Sequence, residues 1–344
     1  MTARIARRVI IGCLVALLVI LLPVKVYPVL ALDILLWGLF AVSIDLLLGF
    51  GGLLSFGQAA FWGSGGYTAA VLASRFHLAF PLAVLGALLF VVALSLPIGY
   101  LSIRTRGIYF AMVTLAFAEM VFYLVNEWRP VTGGENGIQA IPRIFPGLDL
   151  NNSLVYYYAA LPLVIVCYAA AYRIVHSPFG HVLVSIRDNE ARAQALGYAT
   201  QRYKLLGFML SASLAGVAGG IHSIGHGSAG LDLVDWTTSG TAVIMTILGG
   251  IGTIWGSVLG AALVLLLQDW LSTTARLTDA TGVVTGALFI AIVLGLRRGI
   301  WGTAALWLQR GRPPAQPELL APTPAGPQPA GTVNPSPTAV GEVR

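Results

Sequence analysis

The stretch SPFGHVLVSIRDNEARAQALGYATQRYK, Ser177 to Lys204, is a polar hinge between two long apolar blocks. It carries Arg187, Arg192, Arg202 and Lys204, with Arg173 just before it. Asp188, Asn189 and Glu190 precede a run of good helix formers, Ala191 to Leu196, and Gly197 stops that run. Asp188 or Asn189 suits an N-cap, because a short side-chain oxygen accepts from the free N–H groups of a first turn. Gly197 suits the left-handed residue just past a helix end. The pattern predicts a short helix over 189–196, projecting from the positively charged side of a membrane protein. The competing reading is a solvated loop with a fragment of helix.

Outward from this hinge the chain is apolar. Of its 344 residues 57% are hydrophobic and only 10% charged, against about 25% charged in soluble domains. That surface supply cannot cover a soluble core of this size. Runs at 9–24, 30–48, 80–103, 107–126, 154–175, 205–224, 253–271 and 282–296 are apolar, and a bilayer span takes about 20 such residues. Two regions differ. GFGGLLSFGQAAFWGSGGYTAAVLAS, 49–74, is crowded with small residues, which predicts a buried, glycine-packed or partly unwound span. Thr237 to Leu248 is short and runs into LGGIGTIWG, which predicts a re-entrant hairpin. The expected fold is an all-α polytopic membrane bundle of about 8–10 segments with glycine-rich broken or re-entrant pieces. The glycine clusters at 49–57 and 248–256 fit either a repeat flanking a substrate path or plain close packing.

The basic residues orient the chain. If the N-terminus, Arg104, Arg106, the 177–204 loop and the C-terminus share one side, that side holds 15 of the 20 Lys and Arg, and the positive-inside rule makes it cytoplasmic. Topology thus accounts for the net charge of +6, and no nucleic-acid partner is implied. The expected layout is a cytoplasmic segment 1–8, a transmembrane domain 9–298 with an external loop 127–153 and the cytoplasmic loop 177–204, and a cytoplasmic tail 299–344. From about 312 that tail is Pro/Ala-rich, a composition that predicts disorder. The first run follows Arg4, Arg7 and Arg8 and ends in Lys25-Val26-Tyr27-Pro28. A small-residue cleavage site is missing there, so a retained span is expected rather than a signal peptide.

The inventory of chemistry is thin. Cys13 and Cys167 sit in apolar runs, with no disulfide framework and no Cys/His spacing that marks a metal site. No G-x-x-x-x-G-K-[ST] occurs, which excludes a P-loop ATP site. Ser64, with His222 or His226, is the one candidate serine nucleophile, but glycine-flanked serines are usual in packed membrane helices. Asp33 and Asp269 fall at span ends, and Asp45 and Glu119 lie deeper, where an ionisable group is a functional candidate.

Five blocks in order carry a resemblance: GGLLSFGQAAFWGSGGYTAA (51–70), RGIYFAMVTLAFAEMV (106–121), TGGENGI (132–138), SPFGHVLVSIRDNEARAQALGYATQRYKLLGFMLSASLAGVAGG (177–220) and LGGIGTIWGSVLGAAL (248–263). The chain resembles the inner-membrane permease subunit of branched-chain amino acid ABC importers, the LivM type. Asp45 and Gln58 stand where that family usually has Asn and His. The resemblance implies a bacterial inner-membrane location and a cytoplasmic helix that docks on an ATPase, with Asn189, Glu190, Ala191, Arg192, Ala195 and Gly197 in the docking positions. Arg187, Arg192 and Arg202 would pair with acidic groups there. It also implies a homologous second permease (LivH type), two ATPases, a periplasmic binding protein received by the 127–153 loop, and membrane lipid. No cofactor or metal is implied on this chain; ATP and Mg belong to the ATPases. Ser55, Gln58, Tyr67, Thr114 and Glu119 are the candidates for the substrate path. Alternatives are the same architecture serving urea or short amides, or an ion-coupled secondary transporter using Asp45 or Glu119.

Overall fold

With no water in hydrocarbon, a spanning segment must satisfy its own backbone groups, so the apolar runs become helices. The computed structural model describes residues 26–273, and Pro23, Gly286 and Gly299 besides. All belong to the unit Met1–Ala305. The runs expected at 9–24 and 282–296 otherwise lie outside the described residues, as does the tail from 312.

In chain order the helices are α1 (Pro28–Asp45), which widens into a π-helical turn at Leu46–Phe50, α2 (Gln58–Arg75), α3 (Phe80–Ser102), α4 (Ile108–Glu127), the short α5 (Arg129–Thr132), α6 (Ser153–Val175), α7 (Pro178–Asp188), α8 (Glu190–Ala195), α9 (Thr200–His226), α10 (Trp236–Gly249) and α11 (Ile254–Thr273). Two dipeptide strands, Ile138–Gln139 and Ser228–Ala229, pair antiparallel with Ile138 opposite Ala229. The protein is an all-α membrane bundle. Six described helices are long and apolar enough to cross a bilayer: α1 with its π turn, α3, α4, α6, α9 and α11.

Burial sorts these six. In α1 and α9, 83% and 67% of the apolar stretch is buried, against 33–39% in the other four. Helices α1 and α9 are therefore central. Around α1 pack α6, α9, α10 and α11, and α2 lies between α3 and α9. The outer helices turn large apolar side chains outward, among them Leu89, Ile108, Tyr123 and Ile165.

Small residues set the closest approach. A Cβ at Gly65 would collide with the Gly216 carbonyl oxygen, and one at Gly219 with the Trp62 carbonyl oxygen. Helices α2 and α9 thus meet backbone to backbone, which is how helices pack when lipid supplies no hydrophobic drive between them. The glycine-packed reading of 49–74 holds for α2, and the unwound reading holds for 51–57, which is not helical. Helix α10 has 14 residues, about 21 Å long, and falls short of a hydrocarbon core of about 30 Å. Gly250 and Gly252, at φ 121° and 79°, then reverse the chain into α11.

Two segments are more ordered than a sequence reading suggests. Residues 129–152 fold against the bundle: Thr132 Oγ1 donates to the Val125 carbonyl at 2.6 Å, Ile141 N to the Gly227 carbonyl at 2.9 Å, and Arg143 Nε to the Ile224 carbonyl at 3.1 Å. Helix α7 fills most of the first half of the 177–204 hinge. Ser177 caps it, accepting from Gly180 N at 3.4 Å, Pro178 occupies the first turn, and Leu183 and Ile186 are buried on one face.

Gly65→Ala should lower the melting midpoint in detergent, because overpacking costs about 1–3 kcal/mol. Gly240→Ala, where a Cβ meets nothing within 4 Å, should be neutral or gain up to about 1 kcal/mol of helix propensity. Equal melting of the two variants would refute the backbone-contact reading.

Candidate functional site

Helix α8 is built as the hinge pattern predicts. The Asn189 side chain accepts from Arg192 N at 2.9 Å, and Gly197 adopts φ 88°. Of its residues only Ala193 is buried. Ala191, Arg192, Gln194 and Ala195 face solvent, and Leu196 follows at 72% exposure.

Its inner side is anchored by charge. Lys204 Nζ, on the first turns of α9, lies 2.7 Å from Glu190 Oε1. Arg106, in the α3–α4 connection, lies 3.6 Å from Glu190 Oε2. Burial by itself would raise the Glu190 carboxyl. The Lys204 hydrogen bond and charge, with Arg106 behind, outweigh that and hold it below its ordinary 4.5. Glu190 is thus an inward anchor, while Ala191, Arg192 and Ala195 are presented outward.

Arg187 is already engaged within the chain. It chelates Asp188 Oδ1 at 3.0 and 3.1 Å and donates through Nη1 to the Gly49 carbonyl. Its stem packs over Gly52. Lining a helix-terminal carbonyl with a guanidinium satisfies an acceptor that the π turn has released.

At that same end the two glycine clusters meet. The Asp45 carboxylate, buried to 1% exposure, accepts from Gly252 N at 2.7 Å through Oδ1. A Cβ on Gly49 would lie 2.5 Å from Gly252 N. The clusters are packing partners whatever their ancestry. Hydroxyls serve the adjoining carbonyls of α1: Ser211 Oγ donates to Ser43 O at 2.5 Å, and Thr246 Oγ1 to Ala41 O at 3.0 Å.

The unwound segment leads to the start of α2, inside the bundle. Its free N–H groups are met by side chains: Phe56 N donates to Thr114 Oγ1 at 3.3 Å, Gly57 N to Ser55 Oγ at 3.2 Å and Ala59 N to Ser239 Oγ at 2.7 Å. Gln58 occupies the first helical position with zero exposure, and neither side-chain polar atom finds a partner among the described residues. Three of the five path candidates, Ser55, Gln58 and Thr114, therefore converge here. Tyr67 lies further along α2, buried, its hydroxyl likewise without a partner among the described residues. Glu119 is elsewhere, exposed on the outer face of α4 beside Met112, Met120 and Tyr123. Asp45 and Glu119 are not brought together. Ser239, which the sequence reading did not single out, completes the polar set; a serine early in a half-length helix was its only signal.

The Glu190 anchor has a signed pH dependence. A carboxyl whose folded pKa is lowered stabilises fully above its unfolded value and ceases to as pH falls through the folded one. Glu190→Gln should cost about 2 kcal/mol at neutral pH, below the 3–5 of a fully buried pair because Glu190 keeps 20% exposure. The melting difference from wild type should shrink below pH 4.5. A difference independent of pH would remove the ion pair as its cause.

The family model described as "Branched-chain amino acid transport system / permease component" matches residues 29–293. The high-affinity branched-chain amino acid transport system permease protein LivM of Escherichia coli (strain K12) is 26% identical over 283 residues, 75% of this chain and 66% of that protein's length. The inner membrane ABC transporter permease protein YjfF of the same organism is 27% identical over 256 residues, 69% of this chain and 71% of its own. A probable branched-chain amino acid transport permease protein LivM of Methanocaldococcus jannaschii is 24% identical over 192 residues, 52% of this chain and 55% of its own. No solved structure matches the chain. The family is one of transport permeases, not enzymes, and this multi-pass membrane chain belongs to it: the permease components of branched-chain amino acid transport systems.

Proposed function

We propose that the chain is one permease subunit of an ABC importer, forming half of a path for branched-chain or related neutral amino acids. In this reading a homologous second permease completes the path. Two ATPases supply ATP hydrolysis, with ATP and Mg bound there, and a periplasmic binding protein delivers substrate to residues 127–153. Both termini and the 177–204 hinge face the cytoplasm of a bacterial inner membrane, with 9–298 as the membrane domain.

The observation that carries the proposal is the presentation of α8. It is fixed at its root by Glu190 to Lys204 and Arg106, yet its outer face is bare and ends in exposed Leu196. A stiff helix anchored this way transmits a push. Its route is short: α8 continues α7, and Arg187 of α7 holds the Gly49 carbonyl beside the Asp45–Gly252 bond. ATPase closure on α8 would then shift the π turn and the unwound segment, and with them the start of α2.

The chemistry of the path fits a zwitterion. The start of α2 is a helix N-terminus within the bundle, its dipole positive toward an approaching carboxylate. Gln58 sits there with neither polar atom partnered among the described residues. On α4, Glu119 is exposed among apolar side chains, and a carboxylate does not face lipid without heavy cost. That face of α4 is therefore assigned to the second permease and the path, where Glu119 would attract the ammonium.

ATP-dependent uptake of labelled leucine should require this chain, its sister permease, the ATPases and the binding protein in proteoliposomes. Urea in place of leucine under the same requirements would change the substrate and keep the mechanism; ion-driven uptake by the chain alone would overturn the reading. Leu196→Asp should cut uptake about tenfold or more, as loss of an interface anchor does, with unchanged melting. Gln58→Met should leave melting unchanged or higher, since it removes an unpaired buried polar group worth about 1–3 kcal/mol, while uptake falls. Full uptake by the Gln58 variant would take that residue off the path.

A further inference from the structure

At the end of α9 opposite to α8, Asp33 of α1 faces His222 and His226 of α9. The two histidines are four residues apart and so lie one above the other on a single helix face. His226 Nε2 lies 2.9 Å from Asp33 Oδ1 and 3.1 Å from Oδ2, and His222 Nε2 lies 3.7 Å from Oδ1. One ligand atom from each residue can be chosen so that all three fall within 4.8 Å of one another. The imidazoles stack at 4.2 Å, and Trp62 backs His222 at 5.2 Å. The cluster lines a small pocket with Arg143 and Tyr156. His222 and Asp33 are largely enclosed, and His226 is 37% exposed, which leaves one open approach.

We propose that Asp33, His222 and His226 form a binding site for a divalent cation of the zinc class, stapling α1 to α9. Two imidazoles and one carboxylate suit zinc, whereas magnesium and calcium prefer all-oxygen sets. Metal–ligand bonds of about 2.0–2.2 Å put neighbouring ligands roughly 3.3 Å apart in a tetrahedral site, and the two separations from Asp33 Oδ1 to the imidazoles bracket that value. The fourth position falls to water on the His226 side. The guanidinium of Arg143 is engaged by the Leu150, Ile224 and Gly225 carbonyls and the Tyr156 ring, so its charge is not directed at the carboxylate. The signal in the sequence is His-x3-His on one helix; its third ligand lies 189 residues upstream of the first histidine, beyond the reach of any local spacing rule.

The test is direct binding, independent of uptake, so its failure leaves the permease reading intact. The full chain, purified without a polyhistidine tag and stripped with chelator, is titrated with zinc chloride. Cobalt(II) serves as the spectroscopic probe. One zinc per chain is expected, with tetrahedral ligand-field bands for cobalt and a zinc-dependent rise in melting midpoint. Asp33→Asn, His222→Asn and His226→Asn should each weaken binding by about tenfold or more, the scale at which even outer-shell changes act. His176→Asn, at another histidine, should bind as wild type. Wild-type chain that takes up no zinc would overturn the proposal even if the variants fail to fold, and so would ligand variants that bind like wild type.

Discussion

Backbone that leaves the helix inside a bilayer must find its hydrogen bonds in the rest of the protein. The bond from Gly252 N to buried Asp45 is where this chain meets that constraint. Around it the π turn at Leu46–Phe50 and the unwound segment to Gly57 are supplied one by one: Arg187 serves the Gly49 carbonyl, and Ser55, Thr114 and Ser239 serve the N–H groups before and within α2. Apart from Ser55, which lies in the segment itself, the side chains come from different helices: Asp45 from α1, Thr114 from α4, Arg187 from α7 and Ser239 from α10. The break is thus held by several helices at once.

Helix α9 is the other fixed element. Its 27 residues run about 40 Å, and small residues hold it against α2 at backbone distance. One end carries Lys204, which roots α8. The other carries His222 and His226 and receives the folded 129–152 segment through Arg143 and the short strand pair. Both ends thus belong to one rod that is closely packed against α2 over its middle.

Much of this was legible in the residues. The apolar runs named the helices, because a segment in hydrocarbon has one way to satisfy its backbone. The α8 helix was legible to its stop at Gly197 and to two cap candidates, Asp188 and Asn189, since caps and stops act on their immediate neighbours; the structure gives the cap to Asn189. The glycine-rich 49–74 and 237–256 regions read as broken or hairpin segments, and they are. What did not read was direction. Arg187 looked like a free surface cation and turns inward to Gly49. Glu119 looked like a residue inside a span and stands on its outer face. A helix of uniformly apolar residues carries no periodic signal for which side faces protein and which faces lipid.

The sequence by itself determined that this is a helical membrane protein of the permease family. It also determined where the chain must break and where a short capped helix must project. Those features are local: each depends on the composition of a span or on a cap and its next few residues. Only the tertiary structure decided that the two glycine clusters seat on one another and that Gln58 is buried without a partner among the described residues. It likewise decided that Glu190 pairs with Lys204 and Arg106, and that Asp33 meets a histidine pair. These depend on which helices are neighbours. In a bundle with lipid on its outside, neighbourhood is set by the close fit of small residues and by the few buried polar groups that need partners, not by hydrophobicity, which is nearly the same in every span.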